Sequence, residues 1–238
     1  MDKPISFAFS LFTGKYEKFL LMIFIVQVPI LMFHSFLTNF IYAITPSAGG
    51  LFSVADIYYS LITLFMFLYV QIPFVKFTVN ENEGREKPLK NAFYIFVIQG
   101  FNLFVFITIL SFVTVIGFIF YMIPGIILLS VFITAPIIAL IDEKSVWKSV
   151  KESMQIFRKH HIKIILFISL FGLTELIIGT LLNYAILSIT TSYAAILIAQ
   201  IFLNTIFFPV FVVILTCFVL KWREGLSSLH VHKNEVLV

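Results

Sequence analysis

The chain has 238 residues, of which 61% are hydrophobic and 12% charged, with 30 phenylalanines and a net charge of +4. A soluble domain carries about 25% charged residues, so this composition excludes an ordinary water-soluble fold and points to a bilayer as the solvent. The positive balance is what basic loops retained on one side of a membrane produce, and nucleic-acid binding is not expected.

In chain order, Met1-Asp2-Lys3-Pro4 leads into a mixed polar and apolar stretch rather than a cleavable signal peptide, so the first span is expected to act as an uncleaved anchor. A crossing needs about 20 apolar residues. Six such stretches follow, at about 19–43, 54–76, 92–116, 119–141, 162–187 and 193–220. The third and fourth come from one uncharged run, Asn91 to Ile141, with the break expected near Gly117 or at Ile123-Pro124-Gly125. Tyr121 and Trp222 suit interfacial positions. The single cysteine, Cys217, lies inside the last span and excludes an internal disulfide.

Lys and Arg counted along the seven intervening and terminal segments, with Lys76 and Lys163 at the ends of the second and fifth spans assigned to the adjoining segments, number 3, 0, 4, 0, 6, 0 and 3, which accounts for all 16. Basic residues resist translocation. The alternation therefore predicts an all-α, multi-pass integral protein of the cell membrane with six transmembrane helices and both termini cytoplasmic.

The most basic segment, about 143–161, reads as an amphipathic helix. Steps of 100° place Trp147, Val150, Met154, Phe157 and His161 on one arc with Val146 at its edge. Lys144, Lys148, Lys151, Glu152, Arg158 and Lys159 fall opposite, and Asp142 is the expected N-cap. Such a helix lies in the headgroup plane against anionic lipid, with Lys144, Lys148, Lys151, Arg158, Lys159 and Trp147 as the interface. The alternative is a connecting helix that packs beneath the bundle and binds nothing specific.

A weak repeat runs through the chain. Ala8-Phe9-Ser10-Leu11-Phe12, Ala92-Phe93-Tyr94-Ile95-Phe96 and Ser153-Met154-Gln155-Ile156-Phe157 share one pattern. Each precedes or opens a pair of spans whose second member carries a proline: Pro73, Pro136 or Pro209. Three units of surface helix plus two-span hairpin are the expectation.

Within residues 124–160, Pro124-Gly125 starts a span containing Pro136. Asp142-Glu143, Ser149-Val150-Lys151-Glu152-Ser153 and Phe157-Arg158-Lys159 follow. This segment resembles the membrane domain attached to some glycerophosphoryl diester phosphodiesterases, and the stand-alone bacterial six-span proteins related to it. In those a Pro-Gly span leads to an Ala-Leu-Lys-x-Ser helix; here Ser149 stands where alanine is usual. The catalytic domain of the fused proteins is soluble, and this sequence has no segment to form one. The resemblance implies membrane placement and no reaction.

The sharpest single residue is Glu175, about twelve residues into the fifth span and roughly 18 Å deep at about 1.5 Å per residue. An ionisable side chain at that depth is costly and is a functional-site hypothesis by default. Asn204 and Thr205 lie at comparable depth, Gln99 and Asn102 on the third span, and His34 on the first. Together they would line a polar pathway in which Glu175 exchanges a proton or holds a substrate. Alternatively, Glu175 hydrogen-bonds across helices to Asn204 or Thr174 as a packing device, and His34 is a packed histidine.

No zinc-protease, nucleophile-elbow or phosphate-loop motif is present. No catalysis, cofactor or metal is expected. The sequence thus reads as a membrane scaffold, accessory or envelope-associated factor whose partners are the bilayer and its anionic headgroups. The alternative is a small-molecule or lipid transporter that uses Glu175.

Overall fold

The computed structural model describes residues 3–45, 53–120 and 122–235; Tyr121 and the middle of the connection between the first two spans lie outside them. The described residues are helical, without a strand. The helices are α1 (Pro4–Gly14), α2 (Tyr16–Met22), α3 (Val28–Ile44), α4 (Val54–Asn82), α5 (Pro88–Phe120), α6 (Met122–Phe132), α7 (Thr134–Ile141), α8 (Val146–Leu187) and α9 (Tyr193–Glu235). Six stretches are long and apolar enough to cross a membrane: Tyr16–Ile44, Val54–Asn82, Pro88–Phe120, Met122–Ile141, Val146–Leu187 and Tyr193–Gly225. Their outer faces carry exposed apolar side chains in rows, such as Leu166, Leu170, Leu173, Leu176 and Leu181 on α8. Water would penalise such faces and lipid would not.

Proline accounts for two of the interruptions within spans. A proline lacks an amide hydrogen and its ring collides with the carbonyl four residues earlier. Pro29 therefore disturbs the ladder at Ile25, and a π-helical turn, Ile23–Gln27, joins α2 to α3 there. Pro136 disturbs Phe132, where α6 gives way to α7. Between α5 and α6, neither expected breaker is itself the break. Gly117 is inside α5, and Pro124-Gly125 sit in the first turn of α6. The two glycines let the helices touch: a Cβ on Gly117 would lie 3.0 Å from the Gly125 backbone.

The end that carries the lysines and arginines is here the basic end, and the other the distal end. Around the distal half, α3, α4, α5, α6, α8 and α9 each pack on the next, and α9 closes back on α3. Toward the basic end, the stretches that contain Pro73 in α4, Pro136 in α7 and Pro209 in α9 are buried and pack on one another, filling the centre. On the outside of this plug, Ala8 and Leu11, Ala92 and Ile95, and Ser153 and Ile156 are all buried. The helices that bear these pairs dock on α9, α4 and α7 respectively.

Ion pairs tie the basic end together around the α7–α8 connection. Lys76 is fully buried; its Nζ donates to the Leu140 carbonyl at 3.0 Å and pairs with Glu143 at 2.7 Å. Arg85 pairs with the same Glu143 oxygen at 2.6 Å. Arg223 grips Asp142 through two bonds of 2.9 Å and also pairs with Glu152. Hydrogen bonds from Lys76 and Arg85 hold the Glu143 carboxyl below the usual carboxylate range. Burial pushes Asp142 upward, but Lys144 and Arg223 outweigh it and its carboxyl also sits low.

The expected N-cap role of Asp142 is thereby corrected. Asp142 ends α7, and Ser145 stands at the N-cap of α8 without a side-chain cap bond. The carboxylate is drawn to Arg223 and Lys144 rather than to the amides of α8.

Candidate functional site

A cavity of about 820 Å³ occupies the distal half of the helix ring, a volume in the range of small-molecule sites. At its distal end Asn39, Tyr42, Tyr59 and Tyr193 line it. Tyr193 and Asn39 exchange hydrogen bonds of 2.6 and 2.9 Å across α3 and α9. Just inside, His34 bonds Thr63 at 2.8 Å. The floor is aromatic: the ring centroid of Phe67 is 5.1 Å from Phe208 and 5.4 Å from Phe211, and Phe171 is 5.3 Å from Phe211. Below that floor lies the plug of α4, α7 and α9.

Between the distal end and the floor is a polar level. Glu175, twelve residues from the distal end of α8 at Leu187, is on the cavity wall with Asn204, Gln200, Asn183 and Gln27. Gln27 Nε2 donates to the Asn204 carbonyl at 2.8 Å. Asn204 Nδ2 donates to the Gln200 carbonyl at 3.0 Å. Gln200 Nε2 donates to Asn183 Oδ1 at 2.8 Å and to the Gly179 carbonyl at 3.4 Å. Thr174 is turned back on its own helix, donating to the Leu170 carbonyl. No described residue hydrogen-bonds or ion-pairs with the Glu175 carboxyl group. The expected packing bond to Asn204 or Thr174 is not formed among the described residues: the Nδ2 of Asn204 and the hydroxyl of Thr174 donate to backbone carbonyls instead.

Of the residues read as a polar pathway, Glu175, Asn204 and His34 meet on this cavity. Gln99 and Asn102 do not line it. They sit on α5 toward the basic end, where Asn102 makes a long contact of 3.4 Å with Ser145 Oγ. Gln27, Gln200 and Asn183 went unnoticed in the sequence. Gln200 stands one helical turn from Asn204, and that i, i+4 polar pair within an apolar span was a usable signal. Gln27 gave only its isolation next to Pro29.

The basic segment before the fifth span is helical, and α8 bends at His160, whose φ of −126° and ψ of 19° leave the helical region. Its docked face differs from the arc through Trp147. Val146, Ser149, Ser153 and Ile156 are buried, while Trp147 and Met154 are 50% and 38% exposed. Small residues allow the close approach: Ser153 Oγ bonds the Val131 carbonyl at 2.6 Å and Thr134 Oγ1 at 2.7 Å. A helix seam favours small side chains over the most hydrophobic ones. Lys148, Lys151, Arg158 and Lys159 are exposed and have no partner among the described residues. Lys144 is instead engaged by Asp142 and Glu152. Trp222 is buried and stacks on His160 and Phe218, bracing the bend.

Comparison with protein-family models, curated proteins and solved structures gives no match to this chain.

Proposed function

We propose that the protein takes a small polar or amphiphilic molecule into the distal cavity, with Glu175 as the substrate or proton site of a transporter or lipid-handling protein. The carrying observation is an ionisable group on the wall of a roomy cavity with no protein partner among the described residues. A carboxyl group kept deep in an apolar bundle without a partner among the described residues is expensive to hold there. A ligand or an exchangeable proton would offset that cost.

The reading includes six crossings of the cell membrane, the basic end and both termini in the cytoplasm, and the cavity opening on the opposite side. It also takes the chain as three repeated units around the cavity. That is supported by the matching burial of Ala8, Ala92 and Ser153 and by each surface helix docking on the second span of the preceding unit. No chemical reaction is assigned to it.

The test is thermal unfolding of the purified protein in detergent against a panel of amines, amino acids, sugars and lysolipids. At least one class is expected to raise the unfolding temperature of the wild type, and the rise should vanish in Glu175→Gln, whose own cooperative unfolding shows that it is folded. A panel without effect, or an effect that survives Glu175→Gln, would overturn the reading.

The scaffold reading keeps one specific support, the unpaired basic face of α8 beside the exposed Trp147 and Met154. Each such cation near an anionic surface contributes about 1 kcal/mol of attraction. Replacing Lys148, Lys151, Arg158 and Lys159 together with glutamine is expected to abolish enrichment of anionic lipid in detergent-solubilised complexes, measured by native mass spectrometry. Unchanged enrichment would remove this interface.

A further inference from the structure

The hydrogen bonds of the polar level have a direction. Gln27, Asn204 and Gln200 each turn their amide nitrogen toward a backbone carbonyl, that of Asn204, Gln200 and Gly179 respectively. A carbonyl only accepts, so the orientation of all three amides is fixed. What remains unspent is oxygen. Gln27 Oε1 is buried without a partner in a residue only 1% exposed. Asn204 Oδ1 and Gln200 Oε1 accept nothing from the described residues.

Helix register brings Glu175 to the same level. Gln200 reaches Gly179 across the antiparallel α8 and α9. One turn toward the basic end on each helix stand Glu175 and Asn204, and Gln27 adjoins Asn204. No lysine or arginine is among the described residues that line the cavity.

We infer that this level is a binding site for a monovalent cation, either an alkali metal ion or a primary ammonium group, held by Glu175 with the amide oxygens of Gln27, Asn204 and Gln200. One carboxylate balances one positive charge, and neutral carbonyl oxygens replace its hydration shell as they do in ion-selective sites. A divalent cation calls for more carboxylates, and the described residues contain no group of three or more His, Cys, Asp or Glu placed to hold a metal ion. The inference rests on the cavity being the ligand site and names what that site selects.

The experiment is thermal unfolding at constant ionic strength, with tetramethylammonium chloride replaced stepwise by sodium, potassium, methylammonium or butylammonium chloride. A saturable rise is expected with at least one replacement. Its half-saturating concentration should increase at least tenfold in Gln27→Met, and the rise should be lost in Glu175→Gln. A rise confined to the alkali arms assigns a metal ion; one confined to the ammonium arms assigns an organic amine. If Gln27→Met does not fold, Gln27→Glu, which retains an oxygen there, is expected to lower the half-saturating concentration, and an unchanged value overturns the inference. So does the absence of any saturable rise in the wild type, or its persistence in Glu175→Gln. A neutral or anionic compound that stabilises the wild type but not Glu175→Gln would leave the cavity reading standing and remove the cation.

Discussion

Glu143→Ala is expected to destabilise the protein by roughly 3 kcal/mol, while Lys76→Met is nearly silent. The asymmetry follows from where each charge sits. The Lys76 side chain is 0% exposed and that of Glu143 is 40% exposed. Removing Glu143 strands a buried ammonium with a single carbonyl, and breaking a buried pair from one side costs about 3–5 kcal/mol. Removing Lys76 as methionine keeps the volume, deletes the buried charge and leaves Glu143 with Arg85 and solvent. Unfolding temperatures of both variants in one detergent decide the matter. A Lys76→Met variant as unstable as Glu143→Ala would mean that the ion pair itself, rather than the cost of an orphaned charge, holds α4 to the α7–α8 connection.

Gly125→Ala and Gly172→Ala are expected to shift stability in opposite directions, although both place a methyl group inside a helix. A Cβ on Gly125 would fall 2.3 to 2.7 Å from the Phe118 ring, so the ring must leave its place on the cavity wall. Overpacking of this kind costs on the order of 1–3 kcal/mol. A Cβ on Gly172 meets nothing within 4 Å, and alanine there gains helix propensity, up to about 1 kcal/mol. Thermal unfolding of both variants measures the difference. A stabilised Gly125→Ala would show that the α5–α6 contact has slack.

The helical class and the six apolar stretches were legible because both depend on composition and run length alone. Glu175 was legible for the same reason, as a charge in an apolar run. Its surroundings were not. Gln27 and Gln200 lie on different spans, and only the closing of α9 onto α3 sets them on one wall. The surface helix of α8 was readable as an element, but the face it docks with was not, because hydrophobic periodicity weights Trp147, which stays exposed, whereas close packing weights Ser149 and Ser153. Pro29 and Pro136 coincide with interruptions whereas Pro73 and Pro209 lie inside continuous helices; that the three stretches bearing Pro73, Pro136 and Pro209 meet as a plug is a long-range fact.

By itself, the sequence determined that this is an all-helical chain with six spans' worth of apolar helix and one deep carboxyl group. Those properties come from each segment's own partition between water and an apolar phase. The tertiary structure decided which polar groups share a cavity, which cations are engaged and which remain unpaired. It also decided the direction in which the amides of Gln27, Asn204 and Gln200 point. Those depend on contacts between residues far apart in the chain. Asn204 illustrates the difference: its place in an apolar span was plain from the sequence, but its unspent oxygen follows only from the carbonyl that its nitrogen meets.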